Sequence, residues 1–225
     1  MNFNFPRAYH DFSDKEQKFL NYYKDCLLSI ENDYKVLSAK IPNLKDIYLY
    51  NSKKLPRILN AWQVSNEDSF FKLCMVEFES LLENEGYQEF LYNPYLYGII
   101  QTKQDFGHII IRPKKFADKI IGIFIKEEID FSNHKKFSKN FSVFAKDRAR
   151  TMEILSKELL DFFTMYRKLE IEFFNDLCVF RLEKAIDMRE TKTLCEIGIS
   201  LNKIITNKNV KRLRENSINS KVLLT

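Results

Sequence analysis

The chain has 225 residues, with 36 Lys and Arg against 31 Asp and Glu, a net charge of +5, 45% apolar residues and only five Gly and five Pro. That length serves one sizeable core or two small domains, and the scarcity of Gly and Pro excludes a collagenous or low-complexity chain. The charge excess is local. Lys203, Lys208, Lys211, Arg212, Arg214 and Lys221 stand with the single acid Glu215 between positions 203 and 221, and subtracting them leaves 30 basic and 30 acidic residues elsewhere.

In chain order, Ser13 with Glu16 three residues later forms a capping-box pattern. Phe19, Leu20, Tyr23, Leu27, Ile30 and Tyr34 then recur at helical steps, which predicts one long amphipathic helix ending before Pro42. The stretch through Pro42 and Pro56 reads as a loop with a short helix or strand. Ser65 and Asp68 open a second expected helix over 66–85, with Phe70, Phe71, Cys74, Phe78, Leu81 and Leu82 as its stripe and Gly86 as its stop.

Beyond Gly86 the period shortens. Tyr95–Lys103, Gly107–Arg112, Ile120–Glu128 and Asn140–Lys146 read as strands, the first two as a hairpin. Asp147 is placed to cap a helix carrying Met152, Leu155, Leu159, Phe162, Phe163 and Tyr166, with a break expected at Ser156. A two-residue turn at Asn175 and Asp176 makes a hairpin that sets Phe173 against Cys178, Ile171 against Phe180 and Leu169 against Leu182 on a core face. Glu172 then meets Val179, and Glu170 meets Arg181, on a face expected to be solvated. A final helix over 190–206 precedes the basic tail.

These elements predict an α+β fold: a mostly antiparallel sheet of about six strands, packed on one face against helices 148–167 and 190–206. The expected divisions are an N-terminal helical region over 1–86, a core over 87–206 and a flexible tail over 207–225. The N-terminus has no apolar secretory segment, and the longest apolar run, Ile120 to Ile125, is far short of a membrane span. Cys26, Cys74, Cys178 and Cys195 are scattered with no C-x-x-C pair, which predicts reduced thiols and a soluble cytoplasmic protein.

One set of motifs carries a resemblance. Phe137-x-x-x-Phe141-x-Val143-x-x-x-Asp147-x-Ala149, then Ile154-Leu155-Ser156 and Leu159, then Leu169-Glu-Ile-Glu-Phe-Phe-Asn175-x-Leu177 resembles a broad family of uncharacterised bacterial domains, a domain of unknown function, over about residues 95–205. The resemblance implies an α+β domain that acts by contact with another macromolecule. It supplies no catalytic residues, and the apolar anchoring helices of many members have no counterpart in this sequence.

Chemistry is sparse. The glycines form neither a dinucleotide fingerprint nor a phosphate loop, and His10, His108 and His134 fall in no zinc pattern, so no cofactor is expected. His108 stands three residues after Asp105, which reads as a surface hydrogen bond more readily than as an acid–base pair. Cys74 and Cys178 fall on apolar faces, where a thiol is an inert small hydrophobe. The sharpest enzymatic pattern is Glu79 on the expected helix followed by Gln101-x-Lys103, similar to a metal-dependent nuclease of the restriction-endonuclease-like type, but it lacks a convincing second carboxylate. Lys208, Lys211, Arg212 and Arg214 form a candidate patch for nucleic acid or an anionic membrane surface. The expected function is a noncatalytic binding or scaffold role toward a protein partner, with the nuclease as runner-up.

Overall fold

A computed structural model describes residues 14–40, 42–52, 56–84, 87–114, 128–183 and 186–222. The described elements run α1 (Asp14–Leu28), β1 (Lys35–Ser38), α2 (Tyr48–Asn51), β2 (Arg57–Asn66), β3 (Ser69–Asn84), β4 (Tyr87–Gln101) and β5 (His108–Pro113). They continue with α3 (Lys135–Asn140), β6 (Phe141–Ala145), α4 (Arg148–Ile154), α5 (Lys157–Met165), β7 (Leu169–Phe174), β8 (Leu177–Leu182) and α6 (Met188–Val222). The fold is α+β as the sequence predicts, but the strands among the described residues number eight and not about six, in one antiparallel sheet of order β1-β2-β3-β4-β8-β7-β5-β6.

The helix expected over 66–85 is a strand. Residues Phe70 to Phe78 are almost continuously apolar, so they satisfy a helical stripe and a two-sided strand equally well. The structure takes the second option: Phe71, Leu73 and Met75 are buried toward one face, and Cys74, Val76 and Phe78 toward the other. Glu67 and Asp68 form the turn between β2 and β3, with Glu67 in the left-handed region at φ 47°. Position 86, the expected boundary between helical region and core, lies outside the described residues, between the end of β3 at Asn84 and the start of β4 at Tyr87.

The expected hairpin of Tyr95–Lys103 with Gly107–Arg112 is also replaced. β4 pairs with β3 and β8, whereas β5 pairs with β6 and β7, so two strands intervene between β4 and β5. The strand expected over Ile120–Glu128 lies outside the described residues except for Glu128, which forms one isolated bridge with Phe144. Ser13, the expected first cap, is likewise outside them, and α1 ends at Leu28 well short of Pro42.

The C-terminal half follows expectation closely. Asp147 caps α4 by accepting from the Arg150 N–H at 2.9 Å, and the helical stretch breaks at Leu155 and Ser156 before α5 resumes. The β7–β8 register pairs Leu169 with Leu182, Ile171 with Phe180 and Phe173 with Cys178, across a turn in which Asn175 has φ 52°. The last helix runs past 206 to Val222, through the segment expected to be a tail.

One face of the sheet carries the main core, roofed by α1, α3, α4, α5 and α6. Two glycines let this layer close. At Gly98 a Cβ would stand 2.0 Å from the Phe180 ring, and at Gly198 on α6 it would stand 2.6 Å from the Phe71 ring. The two rings lie with centroids 5.9 Å apart and planes tilted by 44°, so the glycines admit a packed pair of phenylalanines between strand and helix. The other face is covered by the segment around α2: Leu44, Ile47 and Leu49 bury Ala61, Cys74, Val76, Tyr97, Ile99 and Val179 beneath them. Among the described residues no helix is long and apolar enough to cross a membrane.

Candidate functional site

The face beneath α2 holds the greatest concentration of buried charge described in the molecule. Glu170 and Glu172 alternate with Leu169, Ile171 and Phe173 on β7, so both carboxylates project to this face. It was expected to be solvated, yet Glu170, Glu172 and Arg181 retain 1%, 0% and 5% of their exposure. The reason is α2, whose covering segment lies more than 100 residues away in sequence.

Glu172 is tied to that segment directly. Its Oε1 accepts from the Tyr48 N–H at 2.9 Å and its Oε2 from the Leu49 N–H at 2.7 Å, while His108 Nε2 donates to Oε1 at 2.9 Å. Glu170 is held between two guanidiniums: Arg112 Nε donates to Oε1 at 2.5 Å and Arg181 Nε to Oε2 at 2.5 Å. Arg181 also donates to the Tyr97 hydroxyl, whose ring centroid lies 5.4 Å from its guanidinium carbon. The Tyr97 hydroxyl in turn donates to the Leu49 carbonyl at 3.0 Å.

Burial works against the Arg181 charge, but Tyr97 and Glu170 beside it more than offset this and leave its pKa raised. Burial pushes the Tyr97 hydroxyl upward despite the adjacent Arg181. The arrangement is thus a closed network in which each carboxylate is already engaged by fixed donors. Chemically it clamps α2 to the sheet and presents no unengaged base or nucleophile. Among the described residues no group of three or more His, Cys, Asp or Glu side chains is placed to hold a metal ion.

His108 therefore partners Glu172 and not Asp105, which instead pairs with Arg150 at 3.0 Å. The Gly107 N–H and Arg150 hold the Asp105 carboxyl below its ordinary range. All four cysteines are free and buried, and burial pushes the Cys74 and Cys195 thiols up to about 12.

The nuclease pattern is spread along the β3–β4 hairpin. Its register sets Glu79 against Tyr92 and Lys72 against Ile99. Glu79 is thus seven residues (79 against 72) from the level of Ile99, roughly 23 Å at about 3.3 Å per residue, and Gln101 lies beyond that. Gln101 Nε2 donates to Asp176 at 2.6 Å, and Lys103 is exposed in the following bend. Glu79 stands on a strand instead of the helix the pattern requires, and its side chain lies outside the described residues. The backbone at Lys208, Lys211, Arg212 and Arg214 belongs to α6, while these side chains are likewise outside the description.

Two further surfaces stand out. An open groove between α5 and α6 is lined by Phe162, Met165 and Ile204, with Lys157, Glu158 and Asp161 at its rim. The β3–β4 hairpin also outgrows the sheet: β2 follows β3 only as far as Glu77, and β8 joins β4 only from Tyr97. Between these limits the two strands pair with each other alone among the described residues, as a projecting ribbon. Sequence reading missed the ribbon because it placed a helix there. No family model, curated protein or solved structure matches the chain.

Proposed function

We propose that the protein is a noncatalytic binding or scaffold protein that contacts a protein partner through the projecting β3–β4 ribbon. The observation that carries this reading is the ribbon's two outer edges, neither of which is paired to a described strand beyond Glu77 or before Tyr97. Such edges offer unpaired backbone groups to another chain, and strand addition is a general mode of protein recognition. The composition suits a specific contact: residues 77–92 hold five Glu and no Lys or Arg, interleaved in sequence with Tyr87, Phe90 and Tyr92. The engaged state of Glu170 and Glu172 adds support, because the most concentrated buried charge serves to fix α2. The resemblance of residues 95–205 to uncharacterised bacterial domains implies contact with another macromolecule, which points the same way.

The test is to replace residues 80–91 with Asn-Gly, which joins the paired residues Glu79 and Tyr92 through a two-residue turn. In-cell cross-linking with mass spectrometry is then compared between the full and shortened chains. The expected result is loss of the intermolecular cross-links formed by the full chain, with an unchanged circular dichroism spectrum. An identical set of cross-links from both chains overturns the reading.

A further inference from the structure

We infer that β1 is a self-association edge: two copies of the chain pair β1 against β1 about a two-fold axis at Leu37, which joins their sheets into one. The inference goes beyond the ribbon contact and does not depend on it.

The sheet ends at β6 on one side and at β1 on the other. The β6 edge is occupied, since Glu128 bridges Phe144 and the Ile129 N–H donates to the Val143 carbonyl at 2.8 Å. β1 has a described partner only on its inner side, where Lys35, Val36, Leu37 and Ser38 face Ser65, Val64, Gln63 and Trp62 of β2. The Ala39 N–H donates to the Ala61 carbonyl at 3.0 Å, which continues that register by one pair and fixes its phase. Hydrogen-bonded pairs alternate along an antiparallel ladder, so Leu37 and Lys35 also aim their backbone groups at β2. The N–H and C=O groups of Val36 and Ser38 therefore point outward, and among the described residues no backbone group engages them.

The side chain between those two outward residues supplies the second observation. Leu37 lies in one cross-strand row with Gln63, Lys72 and Ile99, and Ile99 is buried beneath the segment around α2. That cover does not reach the end of the row, because Leu37 keeps 50% of its exposure. A lone exposed leucine says little. What gives this one a partner is its place on an open edge, midway between the two residues whose backbone groups face outward.

Antiparallel pairing of β1 with itself fixes the register. Outward residues must meet outward residues, and setting Val36 against Ser38 of the second copy uses every outward N–H and C=O of both strands. A shift of two residues either way leaves only one such pair within the strands. In the favoured register Leu37 meets its own copy as a non-hydrogen-bonded pair, the closer kind, with Cα atoms about 4.5 Å apart. Two half-exposed leucines then cover each other. Lys35 falls opposite Ala39, and the two copies of Lys35 stand four residues apart along the strands, roughly 13 Å at about 3.3 Å per residue. That exceeds a Debye length of about 10 Å in about 0.1 M salt, so like charges do not oppose the contact. The pairing is isologous and closes at two copies, as a dimer with one continuous sheet. Its short strands make it a transient contact, since little surface beyond the leucine pair is covered.

Sedimentation equilibrium of the full chain from about 1 μM to about 1 mM tests this, a span that covers transient contacts. The expected result is a concentration-dependent rise from 26.9 kDa toward twice that mass. Leu37→Lys sets like charges directly opposite, and Ser38→Pro removes an outward donor while leaving the ladder to β2 whole. Each is expected to stay monomeric. Leu37→Cys adds a positional readout, because the four native thiols are buried. Oxidised with diamide, it is expected to give a disulfide-linked dimer about tenfold or more faster than Lys35→Cys, whose two copies are too far apart to bridge. A full chain that is monomeric throughout overturns the inference, whether or not a variant folds. So does a dimer that a folded Leu37→Lys or Ser38→Pro chain retains, or equal cross-linking at positions 35 and 37. The ribbon reading concerns a partner of other sequence and is decided separately, by shortening residues 80–91.

Discussion

Glu170 illustrates how a buried charge can hold a structure without being a reactive group. It lies between Arg112 and Arg181, and the pairing is an arrangement whose removal on one side is far costlier than its removal as a whole. Glu170→Leu is expected to lower unfolding free energy in urea by about 3–5 kcal/mol, because two guanidiniums are left buried beside an apolar side chain. Glu170→Leu/Arg112→Met/Arg181→Met is expected to regain most of that loss, measured in the same titration. A triple variant no more stable than the single one would contradict this account of the cluster. The pairing of Glu170 with Arg181 was legible from the hairpin alone, and the structure keeps that register. Its burial was not, because nothing adjacent in sequence announces the covering segment. One available signal was the run Ile109-Ile110-Ile111 before Arg112, which lacks the alternation of a strand with one wet face.

At the scale of elements, local turn and cap chemistry was readable where it was decisive. The Asp147 cap, the break at Ser156 and the Asn175–Asp176 turn all stand where short-range hydrogen-bonding and backbone preferences place them. The failure over 66–85 is of another kind, since an apolar run with no clear period is decided by its neighbours in space. β3 is a strand because β2 and β4 flank it and because both of its faces are covered. The same dependence on remote partners makes α2 a test of the charge network. A four-residue helix has little stability of its own, and this one is held by Glu172 at its amino end and by Tyr97 and Arg181 at the Leu49 carbonyl. Glu172→Leu is expected to reduce hydrogen-exchange protection of the Tyr48 and Leu49 amides about tenfold or more, in line with about 1–3 kcal/mol for losing a buried partner. Protection in β7 and β8 is expected to change much less. Equal losses throughout the sheet would mean that Glu172 supports the whole fold and not this element.

For the molecule as a whole, the buried thiols predict how stability responds to alkali. Burial raises Cys74 and Cys195 from 9.0 to about 12 and moves Cys178 in the same direction, and it raises Tyr34 from 10.0 to about 12. Below pH 9 both folded and unfolded chains keep these protons. As pH rises from 9 toward 12 the unfolded chain releases them first, so stability is full below this window and falls through it. The urea midpoint is therefore expected to drop between about pH 8 and about pH 10.5, and to drop less in Cys74→Ala/Cys178→Ala/Cys195→Ala. An unchanged slope in that variant would assign the loss to other groups. The sheet that buries these residues has a seam. Strands β1 to β4 form a meander contiguous in sequence, and only the five pairs from Tyr97 with Arg181 to Gln101 with Leu177 join it to β8. During synthesis at about 5–20 residues per second, the 76 residues from 102 through 177 take roughly 4–15 s to follow. For that interval the nascent chain lacks β8, the described partner of β4 on that side, so the meander has to wait for its other half to leave the ribosome.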